Sequence, residues 1–278
     1  MPLGALILIL GAKTLPFTPR ASHRFDWGSA VLNALTFGLF ISGIEAFGHG
    51  GNPVYAMLEM LAGLAAGFVL VKRQVSRANP LLPVDLLRRP IFALSVAAAT
   101  FSFAAQSMAF VTLPFYLERG LGFGRGETGL LMTPWPVTVM LVAPVAGRLA
   151  DRFSPGLLGG LGQALMVAGL LLLAFLPEQP ALWDIAWRMS LCGVGFGLFN
   201  SPNNKTIIAA APASRAGGAS WMQATSRLLG QTSGVALVAL IFGLFATGAT
   251  TASLCIAAAF SVLACLSSLL RTSRGVSF

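Results

Sequence analysis

Residues Ile91–Tyr116 read IFALSVAAATFSFAAQSMAFVTLPFY, twenty-six positions without a charged side chain. At a helical rise of about 1.5 Å per residue, a segment of this length outspans the roughly 30 Å of hydrocarbon in a bilayer. Its apolar residues do not alternate with polar ones, which separates it from a barrel strand. Comparable runs stand on both sides: Trp27–Phe47 and Pro53–Val71 before it, then Thr128–Leu149, Gly156–Leu176, Leu182–Asn200, Gly218–Ala246 and Thr251–Leu270. A shorter one occupies Pro2–Ala12. The pattern predicts an all-α polytopic membrane protein. Composition agrees: 56% of the 278 residues are hydrophobic and 10% are charged, where a soluble domain carries about 25% charge. Disorder is excluded, because disordered chains are apolar-poor and charge-rich.

The formal net charge of +9 would point to nucleic acid in a soluble chain. Here its placement gives another meaning. Lys13, Arg20 and Arg24, then Lys72, Arg73, Arg77, Arg88 and Arg89, then Arg148 and Arg152, then Lys205 and Arg215, then Arg271 and Arg274 fall in alternate connections. The intervening connections are uncharged (48–52 and 247–251), balanced (Arg119 and Arg125 with Glu118 and Glu127) or acidic (Glu178 and Asp184). Lys and Arg favour cytoplasmic loops, so the C-terminus is expected inside, with anionic lipid as the partner of the basic face and no role for nucleic acid. Cys192, Cys255 and Cys265 lie within apolar runs and read as small hydrophobes. Met1 leads straight into an apolar run without the basic region of a signal peptide. The expectation is a chain that begins within a larger protein or a cut helix.

Several chemistries are missing their residues. Lys13, Lys72 and Lys205 stand in no GxxxxGK[ST] context, so no P-loop is present. His23 and His49 form neither HExxH nor HxxEH and sit in loops, leaving an embedded metalloprotease or serine hydrolase without its base. No metal site, cofactor or enzymatic activity is expected. A carrier driven by an ion gradient remains, and the 31 Gly and 16 Pro suit helices that rock about a central site.

Between two apolar runs the chain reads Gly147-Arg148-Leu149-Ala150-Asp151-Arg152-Phe153. A tight turn at Gly147 would set Asp151 near a helix start, where the positive end of the dipole favours a carboxylate, with Arg148 and Arg152 able to pair with it. This stretch resembles the cytoplasmic-loop signature of the major facilitator superfamily. Its second part departs, with Ser154-Pro155-Gly156 in place of Gly and two basic residues. Pro80–Arg89 resembles the linker before the last six helices of the 14-helix drug:proton antiporter branch. Gly193–Asn204 resembles its glycine-rich twelfth helix, Arg215–Ser220 and Arg227–Ala236 its thirteenth, and Phe25–Gly28 the entry to its seventh. Order and spacing carry the likeness over most of the chain.

The resemblance implies that residues 1–12 end a truncated membrane helix. Residues 13–89 would hold two linking membrane helices and a cytoplasmic linker, and 90–278 the C-terminal six-helix bundle of the transporter. The partner N-terminal half would lie elsewhere. It further implies a gating motif at Gly147, Arg148, Asp151 and Arg152, a bacterial inner-membrane location, and alternating-access efflux of drugs or small amphipathic or cationic compounds coupled to protons. A metabolite uptake carrier and a truncated polypeptide without transport remain open as alternatives.

Charges at membrane depth are costly and draw attention. Arg227 lies roughly 13 Å into its run and Glu59 roughly 9 Å into its own at 1.5 Å per residue; Arg227 is a candidate for coupling or gating. Glu45 and Glu59 read as pairing residues of the linking helices, and Asp184 with Arg188 as a surface ion pair four residues apart. Phe103, Gln106, Met108, Trp135, Asn200 and Asn203 are candidates for a substrate pathway, since scattered polar groups among aromatic and Met side chains make an adaptable lining. The GxxxG spacings Gly63/Gly67, Gly193/Gly197 and Gly230/Gly234 predict close helix contacts.

Overall fold

The computed structural model describes residues 27–48, 53–75, 84–177, 179–212, 215–245 and 247–273. The expected apolar run at 2–12, the basic residues Lys13, Arg20 and Arg24, the Phe25-Asp26 entry, Arg77, most of the 80–89 linker's proline-rich half, Glu178 and Arg274 fall outside the described residues.

Among the described residues the regular structure is helical: α1 (Trp27–Gly48), α2 (Pro53–Val75), a 3₁₀ turn (Val84–Arg88), α3 (Pro90–Phe115) extended by a π-helical turn (Tyr116–Gly120), α4 (Arg125–Met132), α5 (Pro134–Leu149), α6 (Pro155–Ala174), α7 (Leu182–Ala209), α8 (Ala216–Leu244) and α9 (Ala249–Ser273). Five units, 90–120, 125–149, 155–174, 216–244 and 249–272, are long and apolar enough to cross a membrane. α7 is less apolar because Asp184 and Arg188 stand at one end and Asn200, Asn203, Asn204 and Lys205 at the other.

Several boundaries differ from the sequence expectation: α2 continues past Val71 through Lys72 and Arg73 to Val75, and three further differences bear on the site. The run at 128–149 is two helices, α4 and α5, which meet at Thr133. Pro134 has no N–H to continue the ladder and instead opens α5 at its first position. Glu127 settles the start of α4 by accepting the Gly124 N–H at 2.9 Å, the return half of a capping box. α7 runs nine residues past Asn200, so Lys205 belongs to a helix and not to a loop. α9 runs to Ser273, which draws Arg271 out of the expected tail and into the packed bundle.

Packing orders the bundle as an open arc, α8–α3–α9–α6–α7–α5, with α1 and α2 packed on each other beside it. Exchanging α3, α4/α5 and α6 for α7, α8 and α9 maps this order onto itself. The packing order is therefore the same read from either end, as two three-helix repeats would give. The two ends of the arc, α5 and α8, stay the least covered.

Glycine sets the closest approaches. A Cβ on Gly230 would strike the Thr100 carbonyl, and one on Gly234 would sit 2.5 Å from the Ala104 carbonyl, so α8 rides on the backbone of α3. Gly193 and Gly197 do the same for α7 against α5, at Trp135 and at Val139–Val142. These spacings behave as the sequence predicts. In the α1–α2 pair, a Cβ on Gly67 would meet the Thr36 side chain at 3.0 Å.

At mid-bundle the fully buried Gln163 donates from Nε2 to Ser102 Oγ at 2.7 Å, and Ser261 Oγ donates to its Oε1 at 2.7 Å. One amide thus ties α3, α6 and α9. Interhelical hydrogen bonds in membranes contribute on the order of 0.6 to 1.7 kcal/mol. Gln163→Leu is expected to lower stability by about 1–2 kcal/mol, read as a fall in the thermal midpoint in detergent micelles, with Ser102→Ala and Ser261→Ala non-additive with it.

Candidate functional site at the basic end of the bundle

The starts of α3, α6 and α8 and the ends of α5, α7 and α9 gather at one end of the bundle. Arg88, Arg89, Arg148, Arg152, Lys205, Arg215 and Arg271 collect there against Asp85 and Asp151. The opposite end holds Arg119, Arg125 and Arg188 against Glu118, Glu127 and Asp184. The charge asymmetry that alternates along the sequence is thus a real polarity of the folded bundle.

The Gly147–Phe153 stretch lies at the basic end. Gly147 is not a turn residue: it is helical within α5 and faces α7, where an added Cβ would stand 3.4 Å from Ser201 Oγ. The turn comes after Leu149, closed by the Phe153 and Arg152 N–H groups donating to the Leu149 carbonyl at 2.8 and 3.0 Å. Asp151 precedes the α6 N-cap, Ser154, by three residues, outside the single turn over which a helix dipole acts. Its carboxylate is held by Lys205 Nζ and not by Arg148 or Arg152. The extension of α7 explains this, since it carries Lys205 across the loop. Asp151 and Lys205 are both exposed, as are Arg148 and Arg152. A concavity of about 480 Å³ opens beside the pair between the loop and α7.

The connection before α3 is fastened to the same end. Arg215 makes a fork on Asp85, at 2.9 and 3.1 Å, and Arg89 donates to the Ala210 carbonyl at 3.0 Å. Bidentate Arg–carboxylate pairs add geometry as well as energy.

Arg271, like Lys205, is a residue that sequence reasoning placed outside a helix. It is 3% exposed. Nη1 donates to Ser95 Oγ at 2.8 Å and to Asn203 Oδ1 at 2.7 Å, while Nη2 donates to the Pro155 carbonyl at 3.0 Å and to Ser268 Oγ at 3.2 Å. Asn203 Nδ2 in turn donates to the Ser95 carbonyl at 3.0 Å. One guanidinium joins α3, α6, α7 and its own helix. A signal was available in the sequence: Ser261, Ser268 and Arg271 keep a helical spacing on α9.

The six pathway candidates separate into two groups. Phe103 is buried edge-on against Phe196 at 5.4 Å, Met108 and Trp135 are fully buried, and Asn203 is committed to Arg271. Trp135 packs edge-on to Phe110 at 5.1 Å, and its Nε1 has no acceptor among the described residues. Gln106 and Asn200 keep partly exposed side chains. Arg227 is exposed on the edge helix α8, eleven residues beyond Ala216. At the opposite end Arg188 pairs with Asp184 at 3.1 Å, as the spacing predicts, and also donates to the Leu172 carbonyl at 2.6 Å. Glu59 is half-buried, and its Oε2 has no hydrogen-bond partner among the described residues. The side chain of Glu45 is outside the described set.

Residues 2–235 and 95–276 match the profile of the family described as Major Facilitator Superfamily. The chain is 50% identical, over 276 residues, to the uncharacterized transporter YebQ of Escherichia coli K12, covering 99% of this chain and 60% of that protein. It is 29% identical over 246 residues to the multidrug resistance protein Stp of Mycobacterium tuberculosis, covering 86% of this chain and 44% of that one. It is 26% identical over 246 residues to the multidrug efflux pump LfrA of Mycolicibacterium smegmatis, covering 88% and 49%. The chain thus spans about half to three fifths of the length of these relatives.

Proposed function

Because this chain belongs to the major facilitator superfamily and is a multi-pass membrane transporter protein, not an enzyme, we propose that it supplies the C-terminal bundle of a proton-coupled exporter of drugs or other small amphipathic or cationic compounds. The observation that carries this reading is the two-fold arc of α3–α9 with the family's loop pinned at its basic end by Asp151 and Lys205. The relatives named for multidrug resistance and efflux support the substrate class.

Residues 90–278 are the transporting bundle, and α1 and α2 with the connection to α3 are the linking segment. The basic end faces the cytoplasm of a bacterial cell, by the preference of Lys and Arg for that side, and the C-terminus lies there too, in the inner membrane. Alternating access then requires a second six-helix bundle, the N-terminal half, seated against the uncovered edge helices α5 and α8. Arg227, a cation about 17 Å along α8 by the helical rise, cannot rest against lipid without cost; it faces that second bundle, where it is placed to couple or gate. Of the pathway set, Gln106 and Asn200 are the polar side chains available to a substrate in this conformation.

The Asp151–Lys205 pair acts as a latch that breaks and re-forms during the cycle. An exposed ion pair contributes about 0–1 kcal/mol to stability, so its purpose is sought in rate. Asp151→Asn and Lys205→Ala are expected to leave the thermal midpoint within the equivalent of about 1 kcal/mol. Both are expected to slow substrate efflux from cells carrying both bundles by about tenfold or more. Unchanged efflux in both variants would remove the latch from the proposal.

A further inference from the structure

A second cavity at the basic end, of about 530 Å³, lies between the starts of α3 and α6 and the ends of α7 and α9. Among the described residues Arg88, Arg89 and Arg271 line it, and no carboxylate does. Among the described residues the ion pairs are Asp85–Arg215, Asp151–Lys205 and Asp184–Arg188, so none of the three cavity arginines has an acidic partner. Among the described residues the exposed side chain of Arg88 has no hydrogen-bond partner, and that of Arg89 has a backbone carbonyl alone. Arg271 is buried, and among the described residues its acceptors are all neutral and its Nε has none. The buried hydroxyl of Thr272, also in the lining, has no partner among the described residues either. The cavity further borders the first turn of the twenty-residue α6 at Pro155 and Gly156, the positive end of that helix's dipole. A buried guanidinium compensated by dipoles alone is incompletely satisfied. Every charged side chain that lines this opening among the described residues has the same sign.

We propose that this cavity binds a phosphate-bearing anion, the group presented by the head of an anionic glycerophospholipid. Arginine forks match phosphate oxygens in geometry and charge. The cavity stands at the end of the membrane-spanning helices, the level of the headgroups, where basic recesses between helices suit anionic lipid. Ile91, Ala209 and Ala210 in the wall give the glycerol and upper acyl region an apolar border. None of the residues named as pathway candidates lines the cavity. The assignment does not depend on which substrate the transporter moves.

The test is a lipid titration of the chain in detergent micelles, read by native mass spectrometry, with phosphatidylglycerol and phosphatidylcholine as probes. Phosphatidylglycerol is expected to bind at least tenfold more tightly. Arg88→Gln, which breaks no side-chain hydrogen bond or ion pair among the described residues, is expected to weaken that binding about fivefold, and Arg88→Gln/Arg89→Gln more than tenfold, with phosphatidylcholine unaffected. Displacement of phosphatidylglycerol by millimolar inorganic phosphate would support the anion site and identify the phosphate group itself as sufficient. Binding that withstands inorganic phosphate would support the same site with the whole lipid as its ligand. Equal affinity for the two lipids, or an unchanged preference in both variants, overturns the proposal.

Discussion

Gly195→Leu is expected to yield no stably folded bundle. A Cβ at Gly195 would stand 2.5 Å from the Gly162 carbonyl oxygen, 2.6 Å from the Met166 amide nitrogen and 3.1 Å from the Met166 Cα. All three are backbone atoms of α6, so no rotamer change relieves the contact and the two helices must separate. Overpacking a rigid core costs about 1–3 kcal/mol and more when backbone moves. Separation would also loosen α9, which packs on the other side of α6. Even Gly195→Ala is expected to destabilise, although alanine favours a helix over glycine by about 0.5–1 kcal/mol. Gly217→Ala and Gly243→Ala, with nothing within 4 Å of the added carbon, are the controls and should leave stability unchanged or slightly raised. Size-exclusion profiles and thermal unfolding in micelles distinguish these outcomes. A monodisperse Gly195→Leu protein with an unshifted midpoint would show that α6 and α7 do not touch as described.

Arg271→Met is expected to cost on the order of 3 kcal/mol. A hydrogen bond to a charged group contributes about 1.5–3 kcal/mol, and stranding its buried acceptors adds their desolvation. Asn203 Oδ1 and Ser95 Oγ would each lose the guanidinium donor, and the Pro155 carbonyl would keep only its helical one. Removal of a desolvated cation offsets part of the loss, which is why the expected figure stays below the sum of the bonds. Arg271→Lys separates charge from geometry: an ammonium has no planar fork to reach α3, α7 and α6 together, so it should recover only part of the loss. Thermal midpoints of the two variants read this directly, and a lysine variant as stable as the parent would mean that charge alone suffices.

The spans were legible because hydrocarbon imposes a long apolar run, and the expected runs from 27 to 270 each correspond to a helical unit. Their ends were not legible, since an apolar run stops where solvent begins while a helix stops where its hydrogen bonding does. Lys205 and Arg271 show the consequence. Both follow apolar stretches and read as loop or tail charges, yet α7 and α9 continue through them. Thr133-Pro134 divided one run into α4 and α5, a break that proline announces and hydropathy does not. The loop signature located Asp151, but its partner lay 54 residues away on α7, and adjacency in sequence favoured Arg148 and Arg152. Glycine spacing was the most faithful guide, because Gly193/Gly197 and Gly230/Gly234 report a steric demand that does not depend on where a helix ends.

The most direct measurement of the central claim is transport energised by an imposed pH gradient. This chain would be produced together with the part of the 50%-identical relative that it does not cover, and everted membrane vesicles given a lipophilic cation such as ethidium. The account predicts cation accumulation that starts with an inward-acid gradient, collapses on addition of a protonophore and is absent when either partner is omitted. Accumulation indifferent to the gradient, across a panel of lipophilic cations and with both bundles present in the membrane, would contradict it.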